Sequence, residues 1–245
     1  MNLPLFFISD CHIGMEINQF ELERRNKLFS LFDKIQESKG TLIIGGDFFD
    51  FWFDFNSDAP KCYEDVIEKL IKLKSSGIDI HYIAGNHDYW DFGFIESKFA
   101  KLFYKGDLII HKFDSKILIT HGDGLLKNDY GYRFMKKVLR SKIFISLFKL
   151  LSSRLGYLIG KKVSNTSKDY QYFNDNSIQI KKEIKEFAVK KWQDEFDVVL
   201  VGHYHQKEII EEESKKLIFL GDWLKHFNVT KFDGKVWSQF SWNEL

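Results

Sequence analysis

Thr41-Leu42-Ile43-Ile44-Gly45-Gly46-Asp47 is the stretch on which the reading of this chain turns. Thr41 to Ile44 is a short, β-branched apolar run of the kind that forms a fully buried strand. Two glycines let the backbone turn sharply, and a single carboxylate follows. That layout sets an acid at the carboxyl end of a strand, where open α/β sheets build their sites. Four further runs repeat it: Leu5–Ile8 into Ser9-Asp10-Cys11-His12, Ile80–Ala84 into Gly85-Asn86-His87-Asp88, Ile117–Thr120 into His121-Gly122-Asp123, and Val198–Val201 into Gly202-His203-Tyr204-His205. Each ends in residue types that hold metal ions. Asp47 is expected to bridge two ions, with the other four strand ends completing their shells.

Composition sets the frame. A chain of 245 residues reads as one large domain, or one domain with an insertion. With 44% hydrophobic residues it has enough for a core, and 29% charged residues favour solubility. Cys11 and Cys62 give no reason to pair, which suits a reducing cytoplasm. Met1 to Ile8 runs straight into a strand pattern and lacks the marks of a signal peptide. No uncharged run reaches the roughly 18 residues of a membrane span, so none is expected.

Helical spacing of Leu22, Leu28, Leu31, Phe32 and Ile35 predicts an amphipathic helix over 20–38, with Glu21, Glu23, Arg24, Arg25 and Lys27 off its apolar face. A second helix is expected over 63–76, a third over 94–103 and another over 178–192. Phe48 to Phe53 reads as a packed loop under the site, or an apolar wall for substrate. Leu108 to Ile110 is a further strand. The tail carries strand patterns at 208–210, 217–220, 229–232 and 236–240, expected to finish the sheet antiparallel. Cys11 reads as a small buried residue, and His81, His111 and His226 as ordinary core or surface histidines.

Residues 125–175 break the pattern. From Tyr130 through Lys168 there is no Asp or Glu, and there are ten Lys or Arg among Phe, Leu, Ile, Val and Met. Of the 36 basic residues in the chain, the other 26 face 35 acidic ones, a net −9 outside this stretch. It reads as a basic, apolar helical hairpin set as a cap into an α/β body (1–124 and 176–245). Such asymmetry points to a surface that meets anions or a membrane; a cap that packs on the body with solvated lysines is the plainer alternative. Nucleic acid is not expected, because the interleaving is aliphatic rather than suited to base stacking.

The strand ends gather Asp10, His12, Asp47, Asn86, His121, His203 and His205: four imidazoles, two carboxylates and one amide. These are too many for one ion and suit two ions sharing Asp47. Mixed nitrogen and oxygen donors without thiolate favour Mn²⁺, Fe²⁺ or Zn²⁺. Two such ions about 3.5–4 Å apart clamp a phosphoryl group and hold a hydroxide that attacks phosphorus in line.

The ordered set Asp-x-His, Gly-Asp, Gly-Asn-His-Asp, His-Gly-Asp and Gly-His-x-His, spanning residues 5 to 205, resembles the calcineurin-like metallophosphoesterase family. The resemblance implies a four-layer αββα sandwich. It implies one metal on Asp10, His12, Asp47 and His205, and another on Asp47, Asn86, His121 and His203. It implies His87, paired with Asp88, as the group that assists the leaving oxygen. Within the family the chain is similar to the UDP-2,3-diacylglucosamine hydrolases. These cleave a pyrophosphate at the membrane surface in lipid A synthesis and release UMP and an acylated sugar phosphate. That likeness rests on His121-Gly122-Asp123, Asp129-Tyr130-Gly131-Tyr132 and a basic cap ending in Ser167-Lys168. It implies substrate contacts from Asn86, His87, Asp129, Tyr132, Ser167, Lys168 and His203, acyl chains held by the cap, and a cytoplasmic protein peripheral to the inner membrane. Where members of that subfamily commonly carry Arg after the Asn, this chain carries His87. The alternatives are a soluble dimetal phosphodiesterase or phosphatase acting on nucleotides or another phosphoester, and a non-catalytic scaffold, against which the complete donor set argues.

Overall fold

The computed structural model describes residues 1–55, 59–163 and 172–244. Eleven strands form two sheets among the described residues. In the first, β1 (Leu5–Ile8), β2 (Thr41–Ile44), β3 (Asp79–Ile83) and β4 (Leu102–Tyr104) run parallel, and β10 (Asn228–Phe232) and β11 (Trp237–Ser241) extend the β1 edge antiparallel. In the second, β6 (Ser115–Thr120), β7 (Val198–Val201) and β9 (Lys215–Leu220) are parallel, flanked antiparallel by β5 (Leu108–Lys112) and β8 (Lys207–Glu212).

Alternation of side chains along the strands sorts the chain into layers. Leu5, Phe7, Ile43 and Ile83 of the first sheet pack on Ile117, Ile119, Leu200, Ile218 and Leu220 of the second. Their neighbours Phe6, Ile8, Leu42, Ile44, Ile80 and Tyr82 face the opposite way. They meet Leu28, Leu31, Phe32 and Ile35 of α1 (Gln19–Ser38) and Val66, Ile67, Leu70 and Leu73 of α2 (Glu64–Ser75). Leu118, Val199, Val201, Leu217 and Phe219 meet Ile180, Ile184 and Ala188 of a long C-terminal helix, Ser177–Gln193. The result is the expected order of helix, sheet, sheet, helix. Strands buried on both faces explain why the sequence shows continuous apolar runs rather than alternation.

Three expectations change. The helix over 94–103 stops early: α3 covers Phe94–Lys98, and Leu102–Tyr104 instead pairs with His81–Ile83 as β4. An open β3 edge offers that aromatic run a full ladder of hydrogen bonds. The tail does not finish one sheet antiparallel; β8 and β9 join the second sheet, with β9 parallel to β7, and β10 and β11 join the first. Residues 125–163, where a hairpin is expected, hold three helices: α4 (Tyr130–Leu139), α5 (Lys142–Lys149) and α6 (Ser153–Val163), so the C-terminal helix is labelled α7. None of these helices is long and apolar enough to cross a membrane, among the described residues.

A fourth change concerns α1. Glu21, Arg24 and Arg25 are buried, at 3%, 4% and 1% exposed, not off the packed face. Glu21 accepts from Arg24 at 2.9 Å, from Arg25 at 3.0 Å and from the Gly14 N–H at 3.0 Å. Arg24 donates to the carbonyls of Cys11, His12 and Trp223, and Arg25 to the Gly14 and Cys62 carbonyls and to Asp65. The charged triad therefore grips the 11–14 loop from behind. Removing one member of a buried ionic cluster strands the others without a partner. Glu21→Ala should lower the unfolding free energy by about 3–5 kcal/mol. Asp33→Ala, which breaks the surface pair with Lys69, should cost about 1 kcal/mol or less. Urea unfolding of the two variants checks the contrast.

Candidate metal centre

Parallel pairing in register brings the carboxyl ends of β1, β2 and β3 level (Ile8, Ile44 and Tyr82). It does the same for β6, β7 and β9 in the facing sheet (Thr120, Val201 and Phe219). The loops that leave these ends continue the pairing: Asp10 N–H donates to the Gly46 carbonyl at 3.0 Å and His12 N–H to that of Asp47 at 2.9 Å. They then turn hard. Asp10, His12, Asp47, His203 and His205 all hold positive φ, between 42° and 65°. Such backbone costs roughly 1–3 kcal/mol per residue and persists where the surroundings fix it. Two glycines make room. A Cβ on Gly46 would overlap the His121 ring, and one on Gly85 would overlap the Asp47 carboxylate.

The donors converge. Asp47, 1% exposed, accepts the His87 N–H on Oδ1 at 2.8 Å; its Oδ2 lies 3.2 Å from His121 Nε2 and 3.9 Å from His12 Nε2. Asp10 Oδ1 is 4.0 Å from His12 Nε2, and its carboxylate accepts the His203 N–H at 2.9 and 3.1 Å. Asn86 Oδ1 lies 3.1 Å from His121 Nε2. The rings of His12 and His205 stack at 5.3 Å, and those of His121 and His203 meet edge-on at 5.2 Å. Asp10, His12 and His205 have donor atoms within 4.8 Å of one another, as do Asp47, His121 and His203, and His12, Asp47 and His87. All seven residues proposed from the strand ends thus meet in one pocket, with Asp47 between its two halves. Buried, thiolate-free imidazoles and carboxylates in two adjoining groups fit a pair of divalent cations.

The charges suit the same occupant. Burial pushes the Asp10 carboxyl upward. It also works against the Asp47 charge, yet His121, His87 and His12 hold that carboxyl well below the usual range. Burial lowers His203 to about 3 and His205 to about 4, and drives His12 down too, so these rings are neutral. Burial opposes protonation of His121, but Asp47 beside it raises its pKa to about 10. A cation therefore competes with the His121 proton, because imidazole binds metal only when neutral. His121 Nδ1–H donates to the Gly45 carbonyl at 2.9 Å, which leaves Nε2 to the pocket.

Asp88 does not pair with His87. Its carboxylate accepts from the Phe48 N–H (2.8 Å), the Gly85 N–H (2.7 Å) and the Tyr82 hydroxyl (2.5 Å), locking the β3 turn against the β2 turn. His87 is oriented instead by the Asp50 carbonyl, 2.6 Å from its Nδ1. Burial opposes its charge, and Asp47 with the Asp50 carbonyl outweigh it, so its pKa is raised. Phe48, Phe49, Trp52 and Phe53 are buried as a packed loop, while Phe51 also lines the cleft. Cys11 is buried, as expected. His81 is buried against Tyr104, and His226 pairs with Asp222.

A cleft of about 390 Å³ opens from the donors toward the cap. Asn86, His87 and His203 line it on the body side, and Asp129 and Tyr132 on the cap side. Ser167 and Lys168 lie outside the described residues. Two residues that matter, Phe173 and Asp222, were not singled out from sequence, and a third, Asp123, entered only as the last member of its motif. Asp123 accepts from Tyr132 (3.1 Å) and pairs with Lys136 (2.7 Å) and Arg140 (3.1 Å), tying α4 to the body. Phe173 packs its ring on those of His203 and His205. Asp222 follows β9 by two residues; its Oδ1 accepts the N–H groups of Leu224, Lys225 and His226, and its Oδ2 lies 4.0 Å from His205 Nδ1. The signal for Asp222 was there: Leu217-Ile218-Phe219-Leu220-Gly221-Asp222 repeats the layout of the Asp47 stretch.

If Asp47 joins the two halves, Asp47→Ala should lose bound metal by elemental analysis and cut turnover at least about 10³-fold, on the scale of other electrostatic deletions. Chelation of the wild type should lower its melting temperature by roughly 5–10 °C, since ligand at 100 times its Kd contributes about 2.7 kcal/mol. The Asp47→Ala melt should not respond to chelator. Retained metal in that variant rules the bridging position out.

The family comparison agrees with this geometry. The pattern describing calcineurin-like phosphoesterases matches residues 3–207. The chain is 22% identical over 252 residues to a UDP-2,3-diacylglucosamine hydrolase of Porphyromonas gingivalis, covering 96% of this chain and 95% of that one. It is 29% identical over 241 residues to that of Haemophilus influenzae, covering 93% and 94%. Among solved structures, an archaeal phosphodiesterase aligns over 97% of this chain and 99% of its own, at 15% identity and a TM-score of 0.45. A pattern matched across more than four-fifths of the length, on a chain whose strand ends converge as that chemistry needs, makes this protein a member of the calcineurin-like phosphoesterase family and a metal-dependent hydrolase.

Proposed function

We propose that the protein hydrolyses the pyrophosphate of UDP-2,3-diacylglucosamine to UMP and 2,3-diacylglucosamine 1-phosphate, a step of lipid A biosynthesis. The observation that carries the reading is the two-ended cleft. Its lining joins Asn86, His87 and His203, beside the donor pocket, to Phe51, Trp90, Met135, Leu139 and Phe173. A polar, phosphate-sized end joined to an apolar passage suits a nucleotide sugar that carries fatty chains. Relatives bearing that enzyme's name align along nearly their whole length, which supports the same substrate.

In this reading residues 125–175 form the cap and 1–124 with 176–245 the core. Asp10, His12, Asp47 and His205 would hold one cation, and Asp47, Asn86, His121 and His203 the other. Manganese is our choice, with Fe²⁺ or Zn²⁺ suited to the same donors. A pair of divalent cations at these donors neutralises phosphate charge and makes water acidic enough to act as nucleophile near neutral pH. The protein's own part is placement. Asn86, His87 and His203 position the phosphate under attack, and Asp129 and Tyr132, with Ser167 and Lys168, hold the nucleotide sugar. His87 keeps its Nδ1–H on the Asp50 carbonyl, so Nε2 is the atom that holds a proton for the departing oxygen.

Exposed apolar residues on the cap favour work at a membrane. Phe134, Ile143, Leu147 and Leu150 are 61–82% exposed beside lysines of the same helices. Each basic side chain near an anionic surface contributes about 1 kcal/mol. We place the protein in the cytoplasm, peripheral to the inner membrane.

Incubation with Mn²⁺ and UDP-2,3-diacylglucosamine should release UMP far faster than the enzyme cleaves cyclic dinucleotides or bis(4-nitrophenyl) phosphate. Equal or reversed rates would favour the soluble phosphodiesterase reading instead. His87→Ala should slow turnover by about 10²–10⁴-fold, the range for a lost proton donor, with metal content nearly unchanged. Loss of metal from that variant would move His87 from proton transfer to the ligand set.

A further inference from the structure

Arg140 caps the C-terminal end of α4 and reaches across the cleft to the body. Its Nη2 donates to the Gly85 carbonyl at 3.3 Å and to the Asp123 carboxylate at 3.1 Å. The guanidinium carbon stands 4.0 Å from the centre of the Tyr89 ring. Its side chain is 19% exposed and lines the cleft with Asn86 and His87. The group is thus fixed through one nitrogen and one face. Among the described residues, its Nε and Nη1 make no hydrogen bond, so three coplanar N–H donors remain on a held guanidinium.

Charge bookkeeping gives the same direction. Lys136 already pairs with Asp123 at 2.7 Å, so the Arg140 charge is in excess there. The other two carboxylates on the cleft are engaged elsewhere: Asp50 lies 3.7 Å from His12 Nδ1, and burial pushes the Asp129 carboxyl up against the pull of Arg133. A planar fork with open donors and unmatched charge is the geometry that recognises phosphate through two oxygens.

Position then selects which phosphate. Gly85 directly precedes Asn86, so the guanidinium sits beside the donor pocket and not within it. One phosphoryl group at the metal donors leaves Arg140 to a neighbouring group; two phosphates joined through one oxygen reach both. We infer that Arg140 binds the phosphate that is not attacked and makes the site selective for two-phosphorus diesters over one-phosphorus esters. The inference rests on phosphoester hydrolysis at this pocket, and within the proposed function it assigns the second phosphate of the pyrophosphate.

The test compares wild type, Arg140→Ala and Arg140→Lys, each loaded with Mn²⁺. The readouts are kcat/KM on UDP-2,3-diacylglucosamine and on bis(4-nitrophenyl) phosphate, and inhibition of the aryl-ester reaction by UDP-N-acetylglucosamine. Both variants should lose at least about tenfold more on the two-phosphorus substrate than on the aryl ester, and the inhibition constant should weaken by a similar factor. Arg140→Lys keeps a cation near Asp123 and decides the matter should Arg140→Ala fail to fold. Equal losses on both substrates would make Arg140 a staple between cap and body and overturn the inference, as would no loss on either. If wild type leaves the acylated substrate intact but cleaves the aryl ester, the proposed function fails on its own. The inhibition constant then settles Arg140: weaker in the variants supports it, while unchanged inhibition, or none in wild type, refutes it.

Discussion

The Asp47 carboxylate is the constraint around which the strand ends are arranged. A carboxylate buried without partners is strongly disfavoured, and here each oxygen has a distinct environment. Oδ1 is held by the His87 N–H, and Oδ2 lies between His12 and His121. The neighbours come from β1, β3 and β6, so the charge is tolerated only if both sheets are assembled with their ends level. The left-handed turn at Asp47 and the bare Cα of Gly85 follow from that placement. One lets the carboxylate leave the strand toward the facing sheet, and the other leaves it room.

Behind the donors stands a layer of buried charge that makes no contact with the cleft. Glu21, Arg24 and Arg25 hold the carbonyls of the 11–14 loop, Asp88 ties the β2 and β3 turns, and Asp222 gathers the N–H groups of the turn after β9. Each satisfies backbone groups that a sharp, buried turn would leave without partners, where one lost bond costs about 1–3 kcal/mol. Strained turns at functional sites last only where their surroundings fix them, and these charged groups are what fixes them. That gives buried ions on α1 and in the turns after β3 and β9 a role in chemistry they never touch.

The strands and the seven converging donors were legible because each depends on a local pattern. An apolar run long enough for one buried strand, then a turn, then a metal-ligand side chain, needs no knowledge of the rest of the chain. What escaped depends on distant partners. Arg24 and Arg25 look like solvent-facing residues on a helical wheel, and only Glu21, Asp65 and the carbonyls of the 11–14 loop, Cys62 and Trp223 make their burial favourable. Leu102–Tyr104 fits a helix or a strand equally well until the open edge of β3 decides. The resemblance implied a His87–Asp88 pairing, but Asp88 sits where it answers three donors from β2, β3 and their turns, and His87 meets a backbone carbonyl 37 residues away. The tail strands were recognisable singly, yet which sheet each would join is set by free edges that no local pattern encodes.

The link between cap and core runs through two residues of a single motif. His121 enters the donor pocket; Gly122, at φ 102°, reverses the chain; and Asp123 faces outward to Tyr132, Lys136 and Arg140 of the cap. Trp90 reinforces the contact by donating to the Leu139 carbonyl at 2.9 Å, and Tyr157 by donating to that of Phe53 at 3.1 Å. A displacement of α4 therefore pulls on the residue two positions from His121. The α4 side of the cleft and the donor pocket are positioned by one turn. Their separation is thus fixed by the fold rather than by flexible side chains.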